Sequence, residues 1–298
     1  MTLSDEKRST PTELVIVTGA STGIGAATAR ELASRGFHVL AGVRRVSDAD
    51  ALRSERIEPL TLDITVDADV AAIAERVAHD PAHRKLRALV NNAGIAVNAP
   101  VEALPIAEWR RQFEVNLFGH IAMTQALLPA LRDSSGTVVN ISSVGGKVAM
   151  ATYGAYAGSK FALEAVSDAL RREVAEFGVK IVVVEPGAVI TEMSGRGIAT
   201  ADSLADAMTA EQHRHYDALI NAITAQSRSF TEAGVSATHA AKIVVGAIAA
   251  KKPRTRYTVG RDAAIIVKLA RFASDRLLDR FLRRNLKPHY AKGTLVSS

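Results

Sequence analysis

The sequence predicts an α/β fold: a doubly wound parallel sheet of the Rossmann type in a single domain, with a C-terminal helical extension. Three observations predict it. Short aliphatic and β-branched runs at residues 14–18, 38–41, 57–62, 88–91, 137–141 and 180–185 are too apolar for half-exposed strands, and suit a sheet covered on both faces. Helix-length segments at 25–35, 67–78, 106–131 and 153–177 alternate with them, as a crossover sheet requires. A glycine-rich turn links the first run to the first helix.

Taken in order, the run at 14–18 leads into Gly19-Ala-Ser-Thr-Gly23-Ile-Gly25 and then a helix. Glycines let the backbone turn tightly and approach a pyrophosphate, and the helix end supplies N–H groups and a positive dipole. Gly36, Gly136 and Gly178 each stand just before a strand, where helix ends prefer them. The run at 38–41 ends in Gly-Val-Arg44-Arg45, with no carboxylate before Asp48. An acidic group after this strand would accept from a ribose 2′-OH, whereas a guanidinium pairs with a 2′-phosphate. NADP(H) is therefore preferred over NAD(H), with Arg44 as the reader. Thr22 is not basic, so the glycine loop offers no second phosphate ligand.

Beyond Pro186-Gly187 the strand pattern thins. Residues 190–235 have helical spacing and read as an insertion or lid over the carboxyl edge of the sheet, where ligands bind in such folds. Residues 257–260 suit one last strand, and 262–286 show helical periodicity, with Ile265, Ile266, Leu269, Phe272, Leu277, Leu278, Phe281 and Leu282 set against arginines. The expected organisation is a flexible tail at 1–11, a catalytic domain at 12–260, and a basic amphipathic extension at 261–298.

The 298 residues are 48% hydrophobic and 23% charged, an ordinary globular composition. With no cysteine, disulfides, thiolate catalysis and Cys-based zinc sites are excluded. The N-terminus has no apolar signal-peptide core, so a cytoplasmic location is expected. The formal charge is +6, and much of it lies after residue 250, where Asp262, Asp275 and Asp279 are the only acids. That segment is fit for peripheral contact with an anionic membrane through 262–286, or for packing on the body or on a subunit partner. No nucleic-acid partner is expected. His213 and His215 stand two apart without companion ligands, so no metal site is expected there. Trp109 reads as a helix anchor or core residue.

Of the five tyrosines, Tyr156 alone has a lysine four residues on, Lys160, which shares its helix face. A free tyrosine, with a pKa near 10, is a poor base at neutrality, and an ammonium beside it is expected to lower that value.

TGASTGIG at 18–25, NNAG at 91–94, Asn116, ISS at 141–143, Tyr156-x3-Lys160 and PGAVIT at 186–191 occur in this order. The chain thereby resembles the classical short-chain dehydrogenase/reductase family over residues 12–195, and more loosely to about 250. The extension beyond departs from the minimal family core. The resemblance implies an oxidoreductase interconverting a secondary alcohol and a ketone, or an alcohol and an aldehyde. It implies that Ser143, thirteen before the tyrosine, holds the carbonyl oxygen and Tyr156 transfers the proton. It further implies that Lys160 binds the nicotinamide ribose and Asn116 helps to hold a relay water. Implied cofactor contacts are Gly19, Ser21, Thr22, Gly23, Ile24, Gly25, Arg44, Asp63 (adenine), Asn91, Ala93, Gly94, Tyr156, Lys160, Pro186, Gly187, Val189 and Thr191. A homodimer or homotetramer is implied as well. The phrases FHVLAGVRR and SKFALEAVSDALRREV are similar to hydroxysteroid and retinol dehydrogenases, which points to a lipophilic small-molecule substrate. The alternative is a catalytically silent NADP-binding regulator of the same fold. Such a protein would be expected to lose Tyr156 or Lys160, and both stand.

Overall fold

The structure is a computed structural model, and it describes residues 13–291. The tail at 1–11 and the end of the extension, 292–298, lie outside the described residues. Seven parallel strands form the main sheet: β1 (Leu14–Val17), β2 (His38–Val43), β3 (Ile57–Thr61), β4 (Leu86–Asn91), β5 (Thr137–Ile141), β6 (Lys180–Pro186) and β9 (Arg256–Val259). Their order is β3-β2-β1-β4-β5-β6-β9. The chain winds outward from β1 to β3, then returns to pair β4 on the other side of β1. The reversal opens a crevice at the carboxyl ends of β1 and β4, the usual ligand site of such sheets. Six of the strands fall on the six apolar runs, and the seventh, β9, on the last strand expected at 257–260. A second, two-stranded parallel ladder joins β7 (Val189–Ile190) to β8 (Val235–Ser236).

Strand alternation divides the core in two. Val15 and Val17 face a cluster with Ala29 and Leu32 of α1 (Gly23–Ser34) and Val244, Val245 and Ile248 of α8 (Ala237–Ala249). Leu14 and Ile16 face the opposite cluster. It contains Val70 and Ile73 of α2 (Asp67–Ala78) and Met123, Leu127 and Leu131 of α4 (Gly119–Ser134). Each fully buried aliphatic side chain contributes about 1.5–3 kcal/mol, so both layers anchor the central strands firmly.

Helix α8 is one element the sequence pattern did not mark out. Its ATHAAKIVVGAIA carries polar side chains only in its first half, Thr238, His239 and Lys242, and its exposed face ends in Gly246 and Ala249, so the polar stripe is too short to mark an amphipathic helix. Ser236 caps it by accepting from His239 N–H at 3.2 Å. The expected helix at 106–131 runs as α3 (Ile106–Phe113), a π-helical stretch at Glu114–Phe118, and α4. Gly36 and Gly178 take positive φ (93° and 73°) at their turns, but before β5 the left-handed residue is Ser135 (φ 49°) rather than Gly136. Gly136 has a different reason to lack a side chain: a Cβ there would stand 2.9 Å from Leu86 O.

The insertion at 190–235 is two helices, α6 (Glu192–Asp206) and α7 (Ala210–Glu232), framed by β7 and β8. The 262–286 pattern is also two helices, α9 (Arg261–Phe272) and α10 (Asp275–Leu286), broken at Ala273–Ser274. The remaining helix, α5 (Gly154–Glu173), carries Tyr156 and Lys160.

Candidate active site

An open cleft with a volume of about 340 Å³ lies at the carboxyl ends of the central strands, beneath α6 and α7. Its first wall is the glycine turn. Gly19 has φ +62°, and a Cβ there would stand 2.6 Å from Ala93 Cα. Gly23 also lies at positive φ, +58°. Helix α1 has no side-chain cap at Thr22 and no acidic residue in its first turn, so its leading N–H groups face the cleft mouth uncompensated. Gly19, Ser21, Thr22, Gly23 and Ile24 line the cleft. Gly25 does not. It lets α1 close on the turn, since any side chain there would strike Gly19 O and Asn92 Nδ2.

The turn is fixed from the end of β4. Thr18 Oγ1 accepts from the N–H groups of Asn92 (2.9 Å) and Ala93 (3.0 Å), and Asn92 Nδ2 donates to Thr18 O and Gly19 O. Asn92, Ala93 and Gly94 line the cleft. Asn91 does not, contrary to the sequence expectation. It is still inside β4 and faces α4, where Nδ2 donates to Thr124 Oγ1 (3.0 Å) and Asn140 Oδ1 (2.9 Å). The period of two in a strand separates the two asparagines, and it is Asn92, which the sequence reading did not name, that lines the cleft.

Past the end of β2, Arg44 is exposed and lines the cleft. Arg45 is held by Asp48 at 3.1 Å, whereas Arg44 has no ion pair among the described residues. Asp63 also lines the cleft, with Oδ1 accepting from Thr65 N–H and Oγ1.

At the other end, β5 delivers Ser143, whose Oγ accepts from Gly145 N–H at 3.0 Å. Tyr156 lies beside it, its ring edge-on to Tyr153 at 6.2 Å. Lys160 is buried one turn on and donates to Ile141 O at 2.9 Å. Asn116 sits in the π stretch, where the helical hydrogen-bond ladder is loosened. Its side chain bonds Ile95 N–H and O and donates to Ser159 Oγ at 3.3 Å. Ser159 in turn donates to Tyr156 O. Pro186, Gly187, Val189 and Thr191 complete the floor.

Burial pushes the Tyr156 phenol up, Ser143 partly offsets this, and Tyr153 adds to it. This departs from the expected lowering by Lys160. The ammonium is drawn to Ile141 O and stands 6.0 Å from the ring centre. Lys160 is itself lowered to about 8 by burial, against a raising influence from Glu164.

The roof was legible only as helical spacing. A capping box between Thr209 and Gln212 starts α7. Ile220, Ile223, Thr224, Ser227, Phe230 and Thr231 of α7, with Met193 and Ile198 of α6, line the cleft. Tyr153 and Ser227 share a hydrogen bond of 2.9 Å, and Tyr216 donates to Glu102 at 2.6 Å across the mouth. Trp109 packs with Val97, Ala99, Leu104 and Ala155 below the roof. His213 pairs with Asp217, and among the described residues no group of three His, Cys, Asp or Glu is placed to hold a metal.

The family model described as short chain dehydrogenase matches residues 13–202. The NADPH-dependent 3-dehydrocapnine reductase of Ornithobacterium rhinotracheale is 32% identical over 280 residues, 91% of this chain and 96% of that protein. Human retinol dehydrogenase 16 is 37% identical over 262 residues, 85% of this chain and 82% of its own. A short chain dehydrogenase from Burkholderia cenocepacia, solved in complex with NADP, superposes with a TM-score of 0.69 at 26% identity, covering 92% of this chain and 97% of that one. With the family model matching more than half of the chain and both relatives more than 30% identical over more than four fifths of it, the chain belongs to the short chain dehydrogenase family.

Proposed function

We propose that the protein is an NADP-preferring oxidoreductase that interconverts a lipophilic carbonyl compound and its alcohol. The observation that carries this is the convergence of Ser143, Tyr156 and Lys160 at one end of a cleft whose other end holds a glycine cradle and an unpaired arginine. The donor set fits a dinucleotide. Gly19 and Gly23 leave room that a side chain would fill, and α1 presents free N–H groups to a pyrophosphate. Arg44 offers a fork to a 2′-phosphate, with NAD(H) binding more weakly. Asp63 meets the adenine, and Pro186 to Thr191 flank the nicotinamide. When bound, the nicotinamide supplies or accepts the hydride.

The chain's own residues handle the proton. Ser143 donates to the substrate oxygen. Tyr156, held protonated by its buried setting, delivers a proton to that oxygen in the reductive direction. Lys160 binds the ribose and places positive charge beneath the phenol. Asn116 fixes the Ile95 segment and supports the relay water. Residues 12–260 form the catalytic unit, with 190–235 as its lid. The apolar lining from α6 and α7 suits a bulky hydrophobic substrate. The nearest test is titration with NADPH and NADH by nicotinamide fluorescence, then a ketone and aldehyde panel with NADPH. Tighter NADH binding overturns the cofactor preference. NADPH binding without turnover on any compound of the panel favours the silent regulator, and binding of neither nucleotide overturns both readings.

A second reading concerns location. Phe272 is 82% exposed at the break between α9 and α10, and Ile265 and Leu277 are also exposed. Lys268, Arg271, Arg276, Arg280, Arg283 and Arg284 around them have no ion pair among the described residues. The pair of helices suits an anionic membrane surface from the cytoplasmic side. A homodimer or homotetramer is part of the same reading, checked by sedimentation.

A further inference from the structure

Behind the catalytic helix lies a buried charge cluster that the reading above does not use. Glu164 follows Lys160 by one turn of α5, and its side chain is 6% exposed. Its Oε2 accepts from Lys147 at 2.7 Å and from Arg256 at 2.9 Å. Glu185, 1% exposed, faces the same two cations, at 3.6 Å from Lys147 and 3.3 Å from Arg256. Arg256 also meets Asp168 at 3.1 Å.

The members come from four places. Lys147 ends the turn that begins at Ser143, and Glu164 shares α5 with Tyr156 and Lys160. Glu185 precedes Pro186 at the end of β6, and Arg256 opens β9. Gly146 packs flat against α5 here: a Cβ on it would stand 3.2 Å from Lys160 O and 3.1 Å from Glu164 Cγ. Buried ion clusters contribute little net stability, because desolvation offsets their attraction. Their best-attested use is to fix register.

We propose that Glu164 is a positioning residue for the reaction: it steers the Lys160 ammonium from one turn away, ties the Ser143 turn to helix α5 through Lys147, and ties β9 to the same helix through Arg256. This rests on the reading of Tyr156 and Lys160 given above. The charged and titratable groups facing Lys160 are Glu164 on its own helix, His120 from α4 and the Tyr156 phenol. Glu164 acts to keep Lys160 protonated, against the burial that lowers it. Removing the carboxylate charge lowers Lys160 further.

The test uses full-length protein carrying 13C-labelled lysine, with Lys160→Met identifying the Lys160 resonance. In Glu164→Gln the Lys160 titration midpoint is expected to fall by about one pH unit. The alkaline limb of kcat with NADPH should move with it, while the KM for NADPH stays within a few-fold. Glu164→Asp should recover most of the shift. An unmoved midpoint in Glu164→Gln overturns the proposal. Arg256 and Lys147 keep Glu185 in that variant, so the fold should survive. If it does not, Glu164→Gln with Lys147→Met gives the same readout. A shifted midpoint without turnover on any carbonyl supports the role of Glu164 and sinks the reaction. Normal turnover with an unmoved midpoint does the reverse.

Discussion

The Lys160 ammonium donates to Ile141 O at 2.9 Å while standing 6.0 Å from the centre of the Tyr156 ring. The lysine therefore serves two surfaces, the end of β5 and the underside of the phenol. With Tyr156 raised and Lys160 lowered to about 8, carbonyl reduction should hold steady at neutral pH and decline above about pH 8. Tyr156→Phe should reduce turnover by about 10²–10⁴-fold, the usual range for losing a general acid. NADPH affinity should stay within a few-fold. Unchanged turnover in that variant would remove Tyr156 from the mechanism.

Arg44 stands free where Arg45 is tied to Asp48. A charged hydrogen bond to a phosphate contributes about 1.5–3 kcal/mol, so Arg44→Ala should weaken NADPH binding roughly 10- to 100-fold. NADH binding should barely change. Arg45→Ala should leave both nearly untouched. Fluorescence titration of the three proteins decides between the arginines.

Asn91 ties β4 to α4 and β5 through Thr124 and Asn140. Its replacement by Ala leaves those partners short of a buried hydrogen bond. A loss of about 1–3 kcal/mol of stability is expected in urea unfolding. Nucleotide affinity should be unaltered. A large loss of affinity without loss of stability would restore Asn91 to the cofactor site.

His120 is buried and bonds Ala93 O at 2.7 Å. Burial and the Lys160 charge lower it to about 3, against the raising effect of the Ala93 carbonyl. A folded value below the ordinary 6.5 means that the unfolded chain binds the proton first. The contribution is complete above pH 6.5 and is lost as pH falls toward 3, at up to about 1.4 kcal/mol per unit. His38, also lowered chiefly by burial, acts in the same direction. His120→Gln should flatten the dependence of unfolding free energy on pH between 6 and 4.5 by about one proton. An unchanged slope would show that His120 is protonated in the folded state.

The α9–α10 surface gives the plainest physical assay. Sedimentation with vesicles rich in anionic lipid should capture the protein at low salt and release it at high salt. Ile265→Ser, Phe272→Ser and Leu277→Ser combined should lose most of that binding while keeping activity on a soluble substrate. Equal binding by the triple variant, or by a chain ending at Gly260, would sink the membrane reading.

The strands were legible because a sheet buried on both faces is written in apolar runs, as Leu14–Val17 and the IVVV of β6 are. Tyr156 and Lys160 were legible as a pair because residues four apart on a helix share a face, whereas Ser143 was read from the family resemblance; all three line the cleft. The errors share a cause: the sequence shows residue order but not direction. Asn91 and Asn92 are neighbours in the chain and face opposite ways. The expected effect of Lys160 on Tyr156 considered charge alone, without the burial that dominates both groups. Helix α8 escaped notice because the polar side chains of its exposed face, Thr238, His239 and Lys242, are confined to its first half, while the rest packs over α1.

Helix α7 is fastened near its start by Tyr216 to Glu102 and farther along by Ser227 to Tyr153, three residues from the reactive phenol. In the proposed reaction, proton handling and molecular fit thus occupy different stretches of chain joined at one hydroxyl pair. Substitutions at Ile220, Ile223 or Thr224 can reshape what the cleft admits without disturbing how it reacts. The roof is the part of this molecule that can be rewritten for a new compound, and the Tyr153–Ser227 contact is the boundary such rewriting must respect.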